Sequence, residues 1–181
     1  VIVVPARAEG GVGLFLVEPG SSGVSVIAEE TMGQWPLYRL VLEGVAVGPD
    51  RVLVAPGEEG QRALDRLVDR ATVGLCAISA GVCERGLRIT AEYASERKQF
   101  DRPIATFQAV GQRLADAFID TEAVRLTMLN AASLLDAGLP AGKEVATAKF
   151  WASDGASRVA HALLHVHGGI SIDVDYPIHR Y

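Results

Sequence analysis

The stretch Ala94-Ser95-Glu96-Arg97-Lys98-Gln99-Phe100-Asp101-Arg102-Pro103-Ile104-Ala105-Thr106-Phe107-Gln108 decides how this chain is built, because it joins one long helical pattern to another through polar and aromatic residues. Upstream of it, Leu64, Leu67/Val68, Ala71, Leu75, Ile78, Val82, Ile89 and Tyr93 largely keep spacings of three and four, with no proline between Gly57 and Pro103. That periodicity predicts one long amphipathic helix. Downstream, a second helical pattern runs from about Thr106 to Asp136 through Val110, Leu114, Phe118, Thr121, Val124, Met128 and Leu135. Gly138 and Pro140 are its stop signals. A third runs from about Gly142 to His167 through Val145, Ala148, Ala152, Val159 and Leu163, and ends at Gly168-Gly169.

Ahead of the helices the grammar is different. Residues 1–56 are rich in Gly, Val and Leu, with short apolar runs (Gly13-Leu14-Phe15-Leu16-Val17, Val24-Ser25-Val26-Ile27, Leu40-Val41-Leu42) separated by Pro19-Gly20, Ser21-Ser22-Gly23 and Gly48-Pro49. These are strand and turn signals. The fold class is therefore α+β: a short β segment over residues 1–56, then a long-helix antiparallel up-down bundle over 57–181. Helices of about 25 to 38 residues reach about 40 to 55 Å at 1.5 Å per residue, more apolar flank than three helices cover by themselves. The bundle calls for further helices, and three or four strands cannot close a barrel or cover both sheet edges.

The chain has 181 residues, 49% of them apolar, enough for a sizeable core. Net charge is −5 and the basic residues are scattered, so no electrostatic footprint for nucleic acid exists. No segment approaches the roughly 18 to 20 apolar residues that span a bilayer, and Val1 to Pro5 lack signal-peptide features, so the expectation is a cytoplasmic protein without a membrane partner. Cys76 and Cys83 stand seven apart on one helix face, where a mutual disulfide is geometrically implausible; they read as small core residues. His161 and His165, four apart, lack both the Glu of His-Glu-x-x-His and a third ligand, so no metal site is assigned. Nor is there a nucleophile elbow, a P-loop or a strand-linked Gly-x-Gly-x-x-Gly.

The opening stretch, followed some sixty residues on by His165-Val166-His167-Gly168-Gly169-Ile170 and Asp175-Tyr176-Pro177-Ile178-His179-Arg180, resembles the acyl-CoA dehydrogenase family in motif order and spacing. The resemblance implies that residues 1–56 are the end of a middle β-barrel domain and 57–181 an incomplete C-terminal helical bundle domain. Gly13-Leu14-Phe15-Leu16-Val17 resembles one barrel strand, and Leu42-Glu43-Gly44-Val45-Ala46-Val47 the strand that leads toward the bundle. It implies FAD as cofactor, with Arg97 and Gln108 reaching across a dimer interface to the flavin of the neighbouring subunit. A guanidinium fork suits a pyrophosphate, although pairing of Arg97 with a nearby carboxylate is the plain alternative. Phe100 is assigned to the cofactor site, with packing at a helix end as its alternative. Gly168 and Gly169 admit close approach of the dinucleotide, or cap the helix, or both. His165 stands where the family usually has Gln, and still offers one hydrogen bond.

The family's reaction removes a proton from the α-carbon of an acyl-CoA while a hydride leaves the β-carbon. A carboxylate base is needed. In most of the family it is a Glu in a loop after the glycine pair, which would lie beyond Tyr181; in a minority it sits on the first long helix, where this chain has Ala71. Asp69 points about 200° away from Ala71 on a helix, so no catalytic residue is assigned. Ala71, His165 and the run 168–181 resemble actinobacterial members that work as α2β2 heterotetramers on CoA esters of steroid side chains. The expectation is a subunit or fragment of an FAD-dependent acyl-CoA dehydrogenase in a homo- or hetero-oligomer, with electron-transfer flavoprotein as a candidate acceptor. A non-catalytic assembly subunit and an acyl-CoA oxidase are the alternatives.

Overall fold

In the computed structural model, which describes residues 1–31 and 36–181, the chain divides into two compact units, Val1–Val68 and Asp69–Tyr181. In the first, β1 (Ile2–Ala8) and β2 (Gly11–Val17) form an antiparallel pair in register from Ile2 opposite Val17 to Ala8 opposite Gly11. β3 (Val24–Glu29) and β4 (Leu37–Leu42) make a separate hairpin. β5 (Val52–Val54) pairs with the other edge of β2, giving the order β1-β2-β5. β1 carries Pro5 and escapes the strand signals, yet an edge strand tolerates a residue with no N–H to donate.

The strand expected over 42–47 is not formed. β4 stops at Leu42, Gly44 takes a φ of 62°, and residues 45–48 are irregular. The strand that precedes the helix is β5, reached after a 3₁₀ turn at Pro49–Arg51. α1 (Glu58–Glu96) begins against β2: Gly57 N–H donates to the Val12 carbonyl at 3.1 Å, and a Cβ on Gly60 would run into that same oxygen.

α1 continues into the second unit, with α2 (Gln108–Asp136), α3 (Gly142–Phe150) and α4 (Ala156–His167). α2 ends in a Schellman motif: Gly138 sits at φ 69°, its N–H bonds to the Leu135 carbonyl, and Leu139 N–H bonds to that of Leu134. The third predicted helix is present but is broken by a π turn over Trp151–Gly155. Gly155 is buried there, and a Cβ on it would lie 3.4 Å from Val124 of α2.

Two clusters give the directions of the helices. Val73 and Cys76 of α1 pack with Ala131 of α2 and with Val145 and Ala148 of α3; further along α1, Cys83 packs with Ala117 of α2 and with Val159 and Leu163 of α4. As α1 advances, α2 runs back and α3 and α4 run forward, the expected antiparallel up-down arrangement. The buried face of α1 is a row of small residues, Val73, Cys76, Ala80, Cys83, Thr90 and Ala94. Of the larger apolar stripe read from the sequence, Leu67, Val68, Leu75 and Ile78 stay exposed, while Leu64, Val82, Ile89 and Tyr93 are half-buried and Ile89 packs against the second cluster. Close approach of long helices selects small side chains at the contact and leaves the bulky ones at its margin or outside it.

Burial raises the pKa of Cys76, and burial with the added charge of Asp120 lifts that of Cys83 to about 11. Both are free thiols, held protonated at neutral pH. Iodoacetamide at mildly alkaline pH should leave both unmodified in the folded protein and label both in denaturant; labelling of either in the folded state contradicts this packing.

Candidate functional site

Between α1 and α2 the chain makes a small hairpin, β6 (Lys98–Gln99) against β7 (Arg102–Pro103). Its two-residue turn is Phe100-Asp101, at φ 52° and 65°. Positive φ at both central residues is the geometry of the primed hairpin turns, usually met by Asn-Gly or Gly-Gly. A bulky aromatic there costs about 1–3 kcal/mol of local strain. The Phe100 side chain gains little burial in return, since the residue is 90% exposed. Its ring meets Phe107 edge-on at 6.2 Å, and the Arg102 guanidinium lies 4.1 Å over the Phe107 ring. Ile104 N–H closes the corner by donating to the Arg97 carbonyl at 2.8 Å.

Arg97, Phe100 and Gln108 are thus gathered at one corner. Arg97 is exposed and forms no side-chain ion pair or hydrogen bond among the described residues, so the carboxylate alternative is not what the structure shows. Gln108 opens α2, exposed. Phe100 does not pack against a helix end beyond its edge contact.

At the end of α4 the two glycines divide their duties. Gly168 adopts φ 65° and ψ −143°, a conformation that L side chains avoid, and so turns the chain out of the helix. Gly169 has no such requirement, and an added Cβ would meet nothing within 4 Å. Its missing side chain answers no need among the described residues. His165 is exposed in the last turn, without a hydrogen-bond partner among the described residues. His161 bonds to the Ser157 carbonyl, and no metal-holding group of His, Cys, Asp or Glu occurs among the described residues.

Thr90, which belongs to none of the sequence motifs, fixes this end of the bundle together with His167 and Tyr176. The Thr90 hydroxyl donates to the Gly86 carbonyl at 2.8 Å, which commits its one hydrogen. Thr90 Oγ1 therefore accepts at 3.1 Å from His167 Nε2–H. That leaves His167 Nδ1 bare, and it accepts from the Tyr176 hydroxyl at 3.1 Å. The imidazole is buried, and burial lowers its pKa, so it is neutral at pH 7. Its ring lies 4.3 Å from that of Tyr93 on α1. The Tyr93 carbonyl in turn accepts from Arg97 N–H at 2.8 Å, so the glycine turn and the Arg97 corner share one end of α1. No hydrogen bond or ion pair directly joins the two groups among the described residues. A polar Thr90 in a row of Cys and Ala was the available signal.

A groove of about 410 Å³ lies between α2 and α4. Arg158 at its wall is already matched, by two 2.8 Å bonds to Asp120 and a contact with Asp154. It reads as a polar helix-to-helix seam.

Residues 58–181 match the family described as acyl-CoA dehydrogenase, C-terminal domain. The chain is 44% identical to acyl-CoA dehydrogenase FadE27 of Mycobacterium tuberculosis (strain ATCC 25618 / H37Rv), over 99% of this chain and 49% of that protein. Among solved structures it superposes on the ChsE4-ChsE5 complex from Mycobacterium tuberculosis with a TM-score of 0.90 and 47% identity, covering 99% of this chain and 48% of that one. A variant of the Tcur3481-Tcur3483 steroid ACAD gives 0.88 and 41%, covering 99% and 47%. The chain spans about half the length of the relatives it matches.

Two outcomes follow from the geometry of α4. Gly168→Ala should cost about 1–2 kcal/mol in denaturant unfolding, and Gly169→Ala no more than about 0.5 kcal/mol; equal losses contradict the assigned division. His167 has its folded pKa below the ordinary value of about 6.5, so the unfolded chain binds the proton more readily. Stability is therefore full above about 6.5 and falls as pH drops below it. His167→Gln should flatten that slope, and a wild-type profile already flat there contradicts a buried neutral ring.

Proposed function

The chain belongs to the acyl-CoA dehydrogenase family, and from that premise we propose that it is the part of an FAD-dependent acyl-CoA dehydrogenase that supplies flavin contacts and oligomer interface. On this reading residues 1–56 are the end of a middle β-barrel domain and 57–181 most of a C-terminal helical domain. One observation carries it: an unpaired guanidinium at Arg97 and an exposed aromatic at Phe100 in a strained turn follow the end of α1 whose Tyr93 holds the His167 ring, two residues before the open glycine Gly169.

These residues fit a dinucleotide. Arg97 can give two parallel charge-assisted hydrogen bonds to a pyrophosphate, and no side chain among the described residues competes for them. Gln108 presents an amide beside it, Phe100 an apolar face, and His165 one further donor. Gly169 lets the ligand reach backbone level. Bound FAD would supply the acceptor for the hydride that leaves the acyl β-carbon. The residues of this chain bind and orient; none of them is assigned the α-proton, because Ala71 offers no carboxylate.

The similarity to a two-chain complex and to a steroid ACAD supports an acyl-CoA substrate with a steroid side chain, and assembly as an α2β2 heterotetramer. Phe118, Ile119, Leu126 and Leu129 on α2 are exposed in this chain and give such an assembly apolar surface to cover. A cytoplasmic location and reoxidation by an electron-transfer flavoprotein go with this reading. Independently of it, no helix of the described residues is long and apolar enough to cross a membrane.

Arg97→Ala in the complete co-expressed assembly should weaken FAD binding about tenfold or more, the worth of a charge-assisted hydrogen bond, with helix content unchanged by circular dichroism. Unchanged flavin content sinks the role of Arg97. A wild-type assembly purified and reconstituted without any flavin would favour a purely structural subunit instead.

A further inference from the structure

We propose that His167 is a positioning residue of the flavin site: held between Tyr176 and Thr90 as the Nε2–H tautomer, it fixes the direction in which Gly168 and Gly169 leave α4. The inference rests on the reading of that glycine turn as a dinucleotide contact.

Three separate parts of the chain meet at this one ring: Thr90 and Tyr93 from α1, His167 from the last turn of α4, and Tyr176 from the tail. The hydrogen bonds run in a single direction, Tyr176 O–H to Nδ1, Nε2–H to Thr90 Oγ1, Thr90 O–H to the Gly86 carbonyl. The other neutral tautomer would carry its N–H on Nδ1, facing the Tyr176 oxygen, and leave Nε2 without a donor, because the Thr90 proton is committed to the Gly86 carbonyl. A doubly protonated ring would force the Tyr176 hydroxyl to turn round and lose the partner of its own proton. One protonation state therefore satisfies every group, and no buried side-chain polar atom among the described residues lacks a partner.

With both ring nitrogens bonded and Tyr93 stacked on its face, the His167 side chain has no freedom to rotate. The next residue is Gly168, whose φ of 65° alone would permit many exit directions. On the far side of the turn Ser171 is buried, and Ile178 is buried beyond Tyr176. Gly168 and Gly169 themselves are exposed and open, with no atom of the chain where a Cβ would stand. A backbone segment anchored on both sides and left bare in the middle has the form of a preorganised contact, in which ordering is completed before the ligand arrives.

The test uses the intact co-expressed assembly, stripped of flavin and titrated with FAD. Binding is followed by flavin fluorescence at a temperature where circular dichroism and native mass show each variant folded and assembled. Thr90→Val, which keeps shape and removes the hydroxyl, and Tyr176→Phe should each raise the Kd for FAD about tenfold, as expected for one lost hydrogen bond transmitted to the site. Thr90→Ser, which restores the hydroxyl, should return it to within about twofold of wild type. If Thr90→Val and Tyr176→Phe melt earlier but keep the wild-type Kd, the ring is only structural and the inference is overturned. Gly169→Val separates this from failure of the site: loss of FAD in that variant alone overturns the positioning role, whereas wild-type binding in it overturns the flavin reading of the turn and the inference together. Should the relay variants fail to assemble, ¹⁵N NMR of histidine-labelled wild type decides. A neutral ring protonated on Nε2 upholds the proposal, and protonation on Nδ1 or on both nitrogens overturns it.

Discussion

Close contact between long helices through small side chains is the constraint on which the helical unit depends. Its buried apolar set runs through Cys76, Ala80 and Cys83 on α1, Ala117, Val124 and Ala131 on α2, and Val145, Ala148 and Val159 on α3 and α4, and among the described residues only Leu163 and Ile178 of that set are larger than valine. Contact residues set the separation of helix axes, so this seam leaves no room for larger groups. Gly86 and Gly155 mark close points in it: a Cβ would stand 2.7 Å from Leu163 of α4 in one case and 3.4 Å from Val124 of α2 in the other. The bulky apolar side chains are driven outward as a result, and Leu75, Phe118, Ile119 and Phe150 all face away from the seam. Burial of each is worth about 1.5–3 kcal/mol once something covers it, which is why the proposed activity is set in an assembly.

At the far end of α1 the seam changes character. Small apolar contacts give way to Thr90, and the α4 end is held by hydrogen bonds with defined donors and acceptors. Dispersion fixes how near two helices lie; a directional polar chain also fixes rotation, and inside a low-dielectric region its members reinforce one another. The same few residues of α1 then lead into the strained turn at Phe100 and Asp101. Strain is tolerated there because the hairpin, the Ile104 to Arg97 bond and the Phe107 contact over-determine the backbone.

Much of this was legible in the residues. Spacings of three and four located the long helices, and Gly138 with Pro140 announced the end of α2. The motif around Arg97 marks the joint between α1 and α2, and the glycine pair the end of α4. Other features leave no trace in a one-dimensional pattern. Leu67, Val68, Leu75 and Ile78 are large and apolar, so a spacing rule includes them although they stay exposed, whereas the internal seam is chosen by size and prefers Ala, Cys and Thr. No spacing of three and four marks the π turn at Trp151–Gly155, where Gly155 lies against Val124 of another helix. The strand expected over 42–47 fails because Gly44 turns the backbone to positive φ, and β1 was hidden by a proline that only an edge strand accepts. His165 and His167 stand two apart at the same helix end, and only the fold shows that His167 is buried and His165 exposed.

A density map of the intact assembly loaded with FAD tests the central claim most directly. The account predicts the pyrophosphate within hydrogen-bond distance of the Arg97 guanidinium of this chain, and the dinucleotide in van der Waals contact with Gly169. Flavin bound elsewhere, with Arg97 turned to a carboxylate and Gly169 facing solvent or protein, would contradict it.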